Sequence, residues 1–221
     1  MKKTRKLIIF DLDGTLVNSI FDLADATNIV LERHGMPAHD VEEYKHFVGN
    51  GTLKLIERAV PENVRTQENV QQLHKEFSEE YNKRAVAKTR PYDGIKQVLE
   101  TLSADGCMLA VASNKPDKFT GFIVETLFGR DTFDMICGKK EGVPTKPAPD
   151  IIYGIMNSLD AQKDNTVIVG DSDVDVLTAH NAGLKCIGCC WGFRGESELK
   201  NAGADIIAQK PEDIIKAAQK V

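Results

Sequence analysis

The 221-residue chain has few cysteines, few aromatic residues and no long apolar stretch, and these shortages limit what it can be. Neither the spacing nor the neighbours of its five cysteines suit a zinc site. We therefore expect reduced thiols and a cytoplasmic location. For the adjacent Cys189 and Cys190 we favour a structural role, and a redox role stays open.

Charge and hydropathy set two further limits. The chain has 28 Lys and Arg residues against 33 Asp and Glu, a net charge of −5, and no basic stripe that would indicate nucleic-acid binding. No apolar run approaches the length of a membrane span, so we expect no membrane partner. A chain of this length suits one large domain, or a core with a smaller insertion.

The most informative residues follow the apolar segment Leu7-Ile8-Ile9-Phe10. This segment predicts a buried parallel strand, with Asp11 and Asp13 at its carboxyl end. Open α/β sheets bind ligands at that end, and two close carboxylates repel each other unless a cation lies near them. The pattern suggests a metal and an oxyanion substrate. Taken alone, Asp13-Gly14 could also be an ordinary hairpin turn.

Three further polar clusters occur later in the chain. They are Ser113 and Asn114 after the apolar run that starts at Met108, Lys146 before Pro147, and Asp171 and Asp175 after the run that starts at Thr166. A hydroxyl and backbone N–H groups at a strand-to-helix junction can bind an anion, although a plain helix cap would also explain them. Helix capping does not explain why Asp171 directly follows a strand.

Taken in order, the four clusters resemble the motifs of the haloacid dehalogenase superfamily, and the resemblance runs from Leu7 to the end of the chain. It implies an aspartyl-phosphate mechanism in which Asp11 is the nucleophile and Asp13 is the general acid and base. It further implies phosphate binding by Ser113, Asn114 and Lys146, and an Mg²⁺ ion held by Asp11, Asp13, Asp171 and Asp175. Lys115 and Asp173 lie beside these motifs and are expected to face solvent.

The spacing of apolar residues changes along the chain. Residues 16–88 carry helical patterns without a strand signal, whereas strands alternate with helices from Pro91 onward, which implies a doubly wound parallel sheet. We predict a Rossmann-like α/β core of residues 1–15 and 89–221 with an inserted all-helical cap of residues 16–88. Many members of the superfamily carry such a cap. The pattern also predicts a helix cap at Asp93 and a weak strand at Met135–Cys137.

The cap is expected to select the substrate. Gly49, Asn50 and Gly51 form a tight turn before a helix, whose N–H groups could meet a second anion, or the turn could simply join two helices. This tract and residues 191–194 resemble the phosphoglycolate phosphatase branch. Asn18 departs from the family pattern, which often has an acidic residue there.

The sequence thus predicts an Mg²⁺-dependent phosphatase for a small phosphorylated metabolite similar to phosphoglycolate. A phosphomutase of the β-phosphoglucomutase type and a pyrophosphatase remain alternatives. A non-catalytic binding module is disfavoured, because a protein that had lost its catalytic activity should have lost Asp11 or Asp13 first, and both are present. The sequence does not predict the oligomeric state.

Overall fold

The apolar strand that precedes Asp11 lies in the middle of a six-stranded sheet. In the computed structural model, which describes residues 5–220, β1 (Leu7–Phe10) lies between β4 (Met108–Pro116) and β6 (Thr166–Gly170) and is parallel to both. The other strands of this sheet are β5 (Met135–Lys139), β7 (Lys185–Cys189) and β8 (Ile206–Ala208). The order is β5-β4-β1-β6-β7-β8 and each neighbouring pair is parallel, which confirms the predicted fold class.

Helices cover both faces of the sheet, so the strands are buried on both sides. The helices of the core are α5 (Ile95–Ala104), α6 (Asp117–Phe128), α7 (Asp150–Ser158), α8 (Asp173–Ala182), α9 (Gly195–Ala202) and α10 (Asp213–Gln219). Alternate residues of β1 point to opposite faces. Ile8 and Phe10 pack in the cluster that includes α5, α6 and α10, whereas Leu7 and Ile9 pack with α7 and α8. Within residues 5–220 no helix is long and apolar enough to cross a bilayer.

The helical insertion precedes α5. It consists of α1 (Ile20–Arg33), α2 (Val41–Phe47), α3 (Thr52–Ala59) and α4 (Gln67–Asn82). These helices pack on one another, α1 on α2 and α4, and α3 on α2 and α4. This packing supports the proposed division into core and cap, although residues 1–4 and 221 of the proposed core lie outside the described residues.

The two linkers between the insertion and the core are paired. The expectation that residues 16–88 contain no strand is wrong at β2 (Val17–Asn18), which pairs antiparallel with β3 (Arg90–Pro91). Strands of two residues are too short to show a period, and they form here because the two linkers meet. Asp22 of α1 also connects the two linkers, since its carboxylate accepts hydrogen bonds from the Lys88 and Thr89 backbone N–H groups at 3.0 and 2.8 Å.

Two element ends differ from the prediction, and one weak element is confirmed. The N-cap of α5 is Gly94 and not Asp93, because Gly94 adopts the left-handed conformation (φ 88°) that turns the chain into the helix. Strand β4 continues to Pro116, so Ser113 and Asn114 lie within its end and not after it. The weak strand is present as β5.

The cysteines fit the structural role. Each of the five is a free thiol, and Cys186 and Cys189 are buried in β7. Burial raises the pKa of Cys186, Cys189 and Cys190, which leaves little reactive thiolate at neutral pH.

Candidate active site

The carboxyl ends of three strands bring most of the predicted residues to one edge of the sheet. Asp11 follows β1, Ser113 and Asn114 end β4, and Asp171 follows β6. A cavity of about 30 Å³ lies there, between this edge and the insertion. Its wall on the core side includes Asp11, Asp13, Ser113, Asn114, Lys115 and Asp171, and its wall on the insertion side includes Val48, Gly49, Gly51, Thr52 and Leu55. The volume accommodates about two water molecules.

Lys146 lies between two carboxylates. Its Nζ donates to Asp11 Oδ1 at 2.8 Å, to Asp175 Oδ1 at 2.7 Å and to the Ala112 carbonyl at 2.9 Å. Burial alone would lower the pKa of Lys146, but the two carboxylates outweigh that effect and raise it. The ammonium is therefore a fixed positive charge next to the Asp11 carboxylate.

Three carboxylates form an acidic cluster at the same place. Asp11, Asp171 and Asp175 each offer an oxygen, and these oxygens lie within 4.8 Å of one another. Burial raises the pKa of Asp11 to about 7 in spite of the opposing effect of Lys146. Burial also raises the pKa of Asp171 well above its usual range, and the charges of Asp175 and Asp11 add to this. One ammonium does not balance the cluster, and its hard oxygen donors fit a divalent cation such as Mg²⁺.

Asp171 is held in a tight enclosure. The Phe193 backbone N–H donates to Oδ2 at 2.7 Å, and the Thr15 hydroxyl donates to Oδ1 at 3.2 Å. A Cβ atom at Gly14, whose φ is +87°, would lie 2.3 Å from Asp171 Oδ2, and one at Gly192 would lie 2.2 Å from Asp171 Cβ. Glycine is therefore required at both positions for the chain to approach this carboxylate.

Asp13 faces a different partner. Its carboxylate accepts hydrogen bonds from the Ser19 hydroxyl and from Lys115 Nζ, the latter at 2.8 and 3.0 Å. Asp13 is not a member of the acidic cluster formed by the described residues, and its part in a metal site stays a prediction.

Lys115 does not face solvent, so that expectation is wrong. Its side chain is 2% exposed, and its Nζ lies 5.0 Å from the centre of the Tyr81 ring. The reason is the length of β4. The strand continues to Pro116, so Lys115 belongs to the sheet and is buried there, whereas a residue in a loop would be exposed. Asp173, also expected to face solvent, is half-buried.

Asn114 joins three parts of the site. Its side-chain Nδ2 donates to the Lys146 carbonyl at 3.0 Å and to the Gly49 carbonyl at 3.1 Å, and its Oδ1 accepts from the Lys146 backbone N–H at 2.9 Å. The amide thus positions the Lys146 loop and contacts the insertion. Ser113 lines the cavity, and phosphate binding by either residue stays a prediction.

The turn before α3 faces the cavity with its backbone. Gly49 and Gly51 line the cavity, and Gly51 has a φ of +87° immediately before the first residue of the helix. The side chain of Asn50 is instead bonded to Arg58, whose Nη2 donates to its Oδ1 at 2.7 Å. Asn50 is not among the residues that line the cavity, and a substrate contact of this residue stays a prediction.

Residues 191–194 were noted in the sequence for their resemblance, but the sequence did not predict which groups they contact. Arg194, after β7, donates to the Val48 carbonyl of the insertion at 3.0 Å and lines the cavity. Trp191 Nε1 donates to the Thr15 carbonyl at 3.1 Å. Both depend on residues more than a hundred positions apart, which local patterns do not report.

Comparisons with known proteins identify the family of the chain. Residues 8–189 match the family of haloacid dehalogenase-like hydrolases, and the chain belongs to that family. A phosphoglycolate phosphatase of Mannheimia succiniciproducens is 32% identical over 222 residues, covering 98% of this chain and 99% of that protein. One from Psychrobacter arcticus is 32% identical over 203 residues, covering 89% and 88%.

Solved structures give the same result. The crystal structure of a candidate phosphoglycolate phosphatase from Lactobacillus delbrueckii subsp. bulgaricus has a TM-score of 0.91 at 32% identity, covering 98% of this chain and 99% of that chain. The chain is thus an enzyme of the phosphatase branch that contains these relatives.

Proposed function

We propose that this enzyme hydrolyses the phosphate ester of a small metabolite of the phosphoglycolate type, with Asp11 as nucleophile and with Mg²⁺. The observation that carries the proposal is the position of Asp11, which lies in the cavity between the Lys146 ammonium and the buried Asp171. The names of the relatives support the substrate class.

In the first step, a carboxylate oxygen of Asp11 attacks phosphorus and the bond from phosphorus to the ester oxygen breaks. Asp13 lines the same cavity and donates a proton to the departing oxygen. Lys146 holds Asp11 in place and offers positive charge to the phosphoryl group. A magnesium ion held by Asp11, Asp171 and Asp175 would neutralise the excess negative charge of the cluster and of the phosphate.

In the second step, a water molecule attacks phosphorus and gives its proton to Asp13. The bond from phosphorus to Asp11 then breaks, which releases inorganic phosphate and restores the Asp11 carboxylate. Asp13 thus acts as an acid in the first step and as a base in the second.

The insertion acts as a lid in this proposal. Its residues Val48, Gly49 and Thr52 form one wall of the cavity that contains Asp11, so closure of the insertion over a bound ester would exclude water from the reaction. Backbone N–H groups at Gly51 and Thr52, at the start of α3, could receive the carboxylate of the substrate.

A panel of phosphorylated metabolites tests the proposal. We expect the highest kcat/KM for phosphoglycolate, loss of turnover in EDTA and recovery with Mg²⁺. Glucose 1-phosphate and pyrophosphate serve as the probes of the two alternatives. Efficient conversion of glucose 1-phosphate to glucose 6-phosphate, or the highest kcat/KM for pyrophosphate, would contradict it.

A further inference from the structure

The contacts of Lys115 are unusual for a lysine next to a binding motif. Its side chain is buried at the end of β4, and its Nζ donates to both oxygens of Asp13, at 2.8 and 3.0 Å. The Ser19 hydroxyl donates to Oδ1 of the same carboxylate. Asp13 is therefore held from two sides, while part of it still lines the cavity.

The insertion contributes to the position of Lys115. Tyr81 of α4 is fully buried and its ring centre lies 5.0 Å from Lys115 Nζ, within the range of a cation–π contact. The ring stacks on Phe77 at 5.4 Å and meets Phe119 of α6 edge-on at 5.2 Å. Neighbours from both the insertion and the core thus fix the ring against which Lys115 lies.

Stability alone does not account for this ion pair. Burying two charges costs desolvation free energy, and an apolar pair of similar volume often stabilises a protein as well or better. What an ion pair does provide is a fixed direction for the carboxylate. General acid catalysis needs that direction, because the proton must lie within hydrogen-bond reach of the departing oxygen.

We propose that Lys115 is a positioning residue that holds the Asp13 carboxylate in the orientation required for proton transfer to the leaving group. This inference rests on the proposed acid and base role of Asp13. Lys115 also lines the cavity, but its effect on the reaction passes through Asp13.

The test compares leaving groups. p-Nitrophenolate departs with little protonation, whereas the alkoxides from phosphoglycolate and ethyl phosphate need an acid. For Lys115→Met we expect kcat/KM to fall about 10- to 100-fold on both alkyl esters, and less than about 5-fold on p-nitrophenyl phosphate. Lys118→Met is the matched control, since Lys118 is exposed in the first turn of α6, and its ratio of alkyl to aryl activity should equal that of the wild type. An equal loss on all three substrates with Lys115→Met would overturn the proposal.

A double variant shows whether the effect passes through Asp13. If it does, adding Lys115→Met to Asp13→Asn should change the alkyl-to-aryl ratio less than about 3-fold, because coupled residues are not additive. The same loss in both backgrounds would overturn the proposal. A loss on phosphoglycolate without one on ethyl phosphate would also overturn it, since Lys115 would then contact the substrate carboxylate.

Two further comparisons keep the result interpretable. Lys115→Arg keeps a cation beside Asp13 and should restore part of the ratio. Lys115→Gln removes the charge and carries the test if the methionine variant does not fold; a wild-type ratio for Lys115→Gln would then contradict the proposal. If Asp13→Asn alone leaves the ratio unchanged, the acid role of Asp13 fails. If Asp13→Asn lowers the ratio and Lys115→Met does not, only the role of Lys115 fails.

Discussion

The side-chain amide of Asn114 donates a hydrogen bond to the backbone carbonyl of Gly49 at 3.1 Å, which connects the end of β4 to the turn before α3. The same amide also exchanges hydrogen bonds with the backbone of Lys146. One side chain therefore links the insertion to the loop that carries the positive charge of the site.

Asn114→Ala removes these contacts together. We expect a loss of stability of about 1–2 kcal/mol, because the backbone groups of Lys146 are left unpaired in a buried position, and a fall in kcat/KM of about 10-fold or more. Thermal unfolding and steady-state kinetics measure the two effects. Asn201→Ala on the exposed surface of α9 is the control and should change neither. Wild-type kinetics for Asn114→Ala would contradict this role.

Asp11→Asn should abolish turnover without unfolding the protein. The amide keeps the shape of the side chain but cannot attack phosphorus. It also removes one carboxylate from a repelling cluster, so without metal the melting temperature should stay equal to that of the wild type or rise. Mg²⁺ should raise the melting temperature of the wild type more than that of the variant. Hydrolysis by a verified sample of the variant would exclude the covalent mechanism.

Lys146→Ala removes the fixed charge next to Asp11. We expect kcat to fall about 10²–10³-fold, the usual effect of losing one oriented charge at a developing oxyanion. Single-turnover and steady-state kinetics with phosphoglycolate give the value. Lys140→Ala, at an exposed lysine after β5, is the matched control. A loss smaller than about tenfold for Lys146→Ala would show that this ammonium does not act on the phosphoryl group.

Glu80 should make stability depend on pH. Hydrogen bonds from Arg84, Lys83 and Arg33 lower the pKa of this carboxyl from 4.5 to about 2. A lowered pKa stabilises the folded state above the unfolded value, and this contribution is lost as the pH falls from about 4.5 toward about 2. Glu80→Gln should therefore cost about 1–2 kcal/mol at pH 7 and less at pH 3.5.

Urea unfolding at the two pH values measures this difference. Glu79→Gln, at the neighbouring exposed position of α4, is the control and should change stability little at either pH. If Glu80→Gln lowered the free energy of unfolding equally at both pH values, the charge of Glu80 would not be what stabilises the folded state.

Much of the site could be predicted because its residues come directly after or within short apolar runs. Asp11 follows β1 and Asp171 follows β6, and parallel strands end at the same edge of a sheet, so the two residues meet although 160 positions separate them. The change from a short continuous apolar run to helical spacing after Thr15 similarly led us to predict the insertion. These signals are local, and a sequence displays them directly.

The remaining features depend on contacts between distant segments. Whether Lys115 is buried depends on how far β4 extends and on Tyr81, which comes from α4. The pairing of β2 with β3 depends on two linkers that meet only when the insertion has folded. The sequence by itself determined the order of strands and helices and the residues at the sheet edge. Only the tertiary structure decided which partner each charge meets, because burial and ion pairing arise from packing between segments that are far apart in the chain.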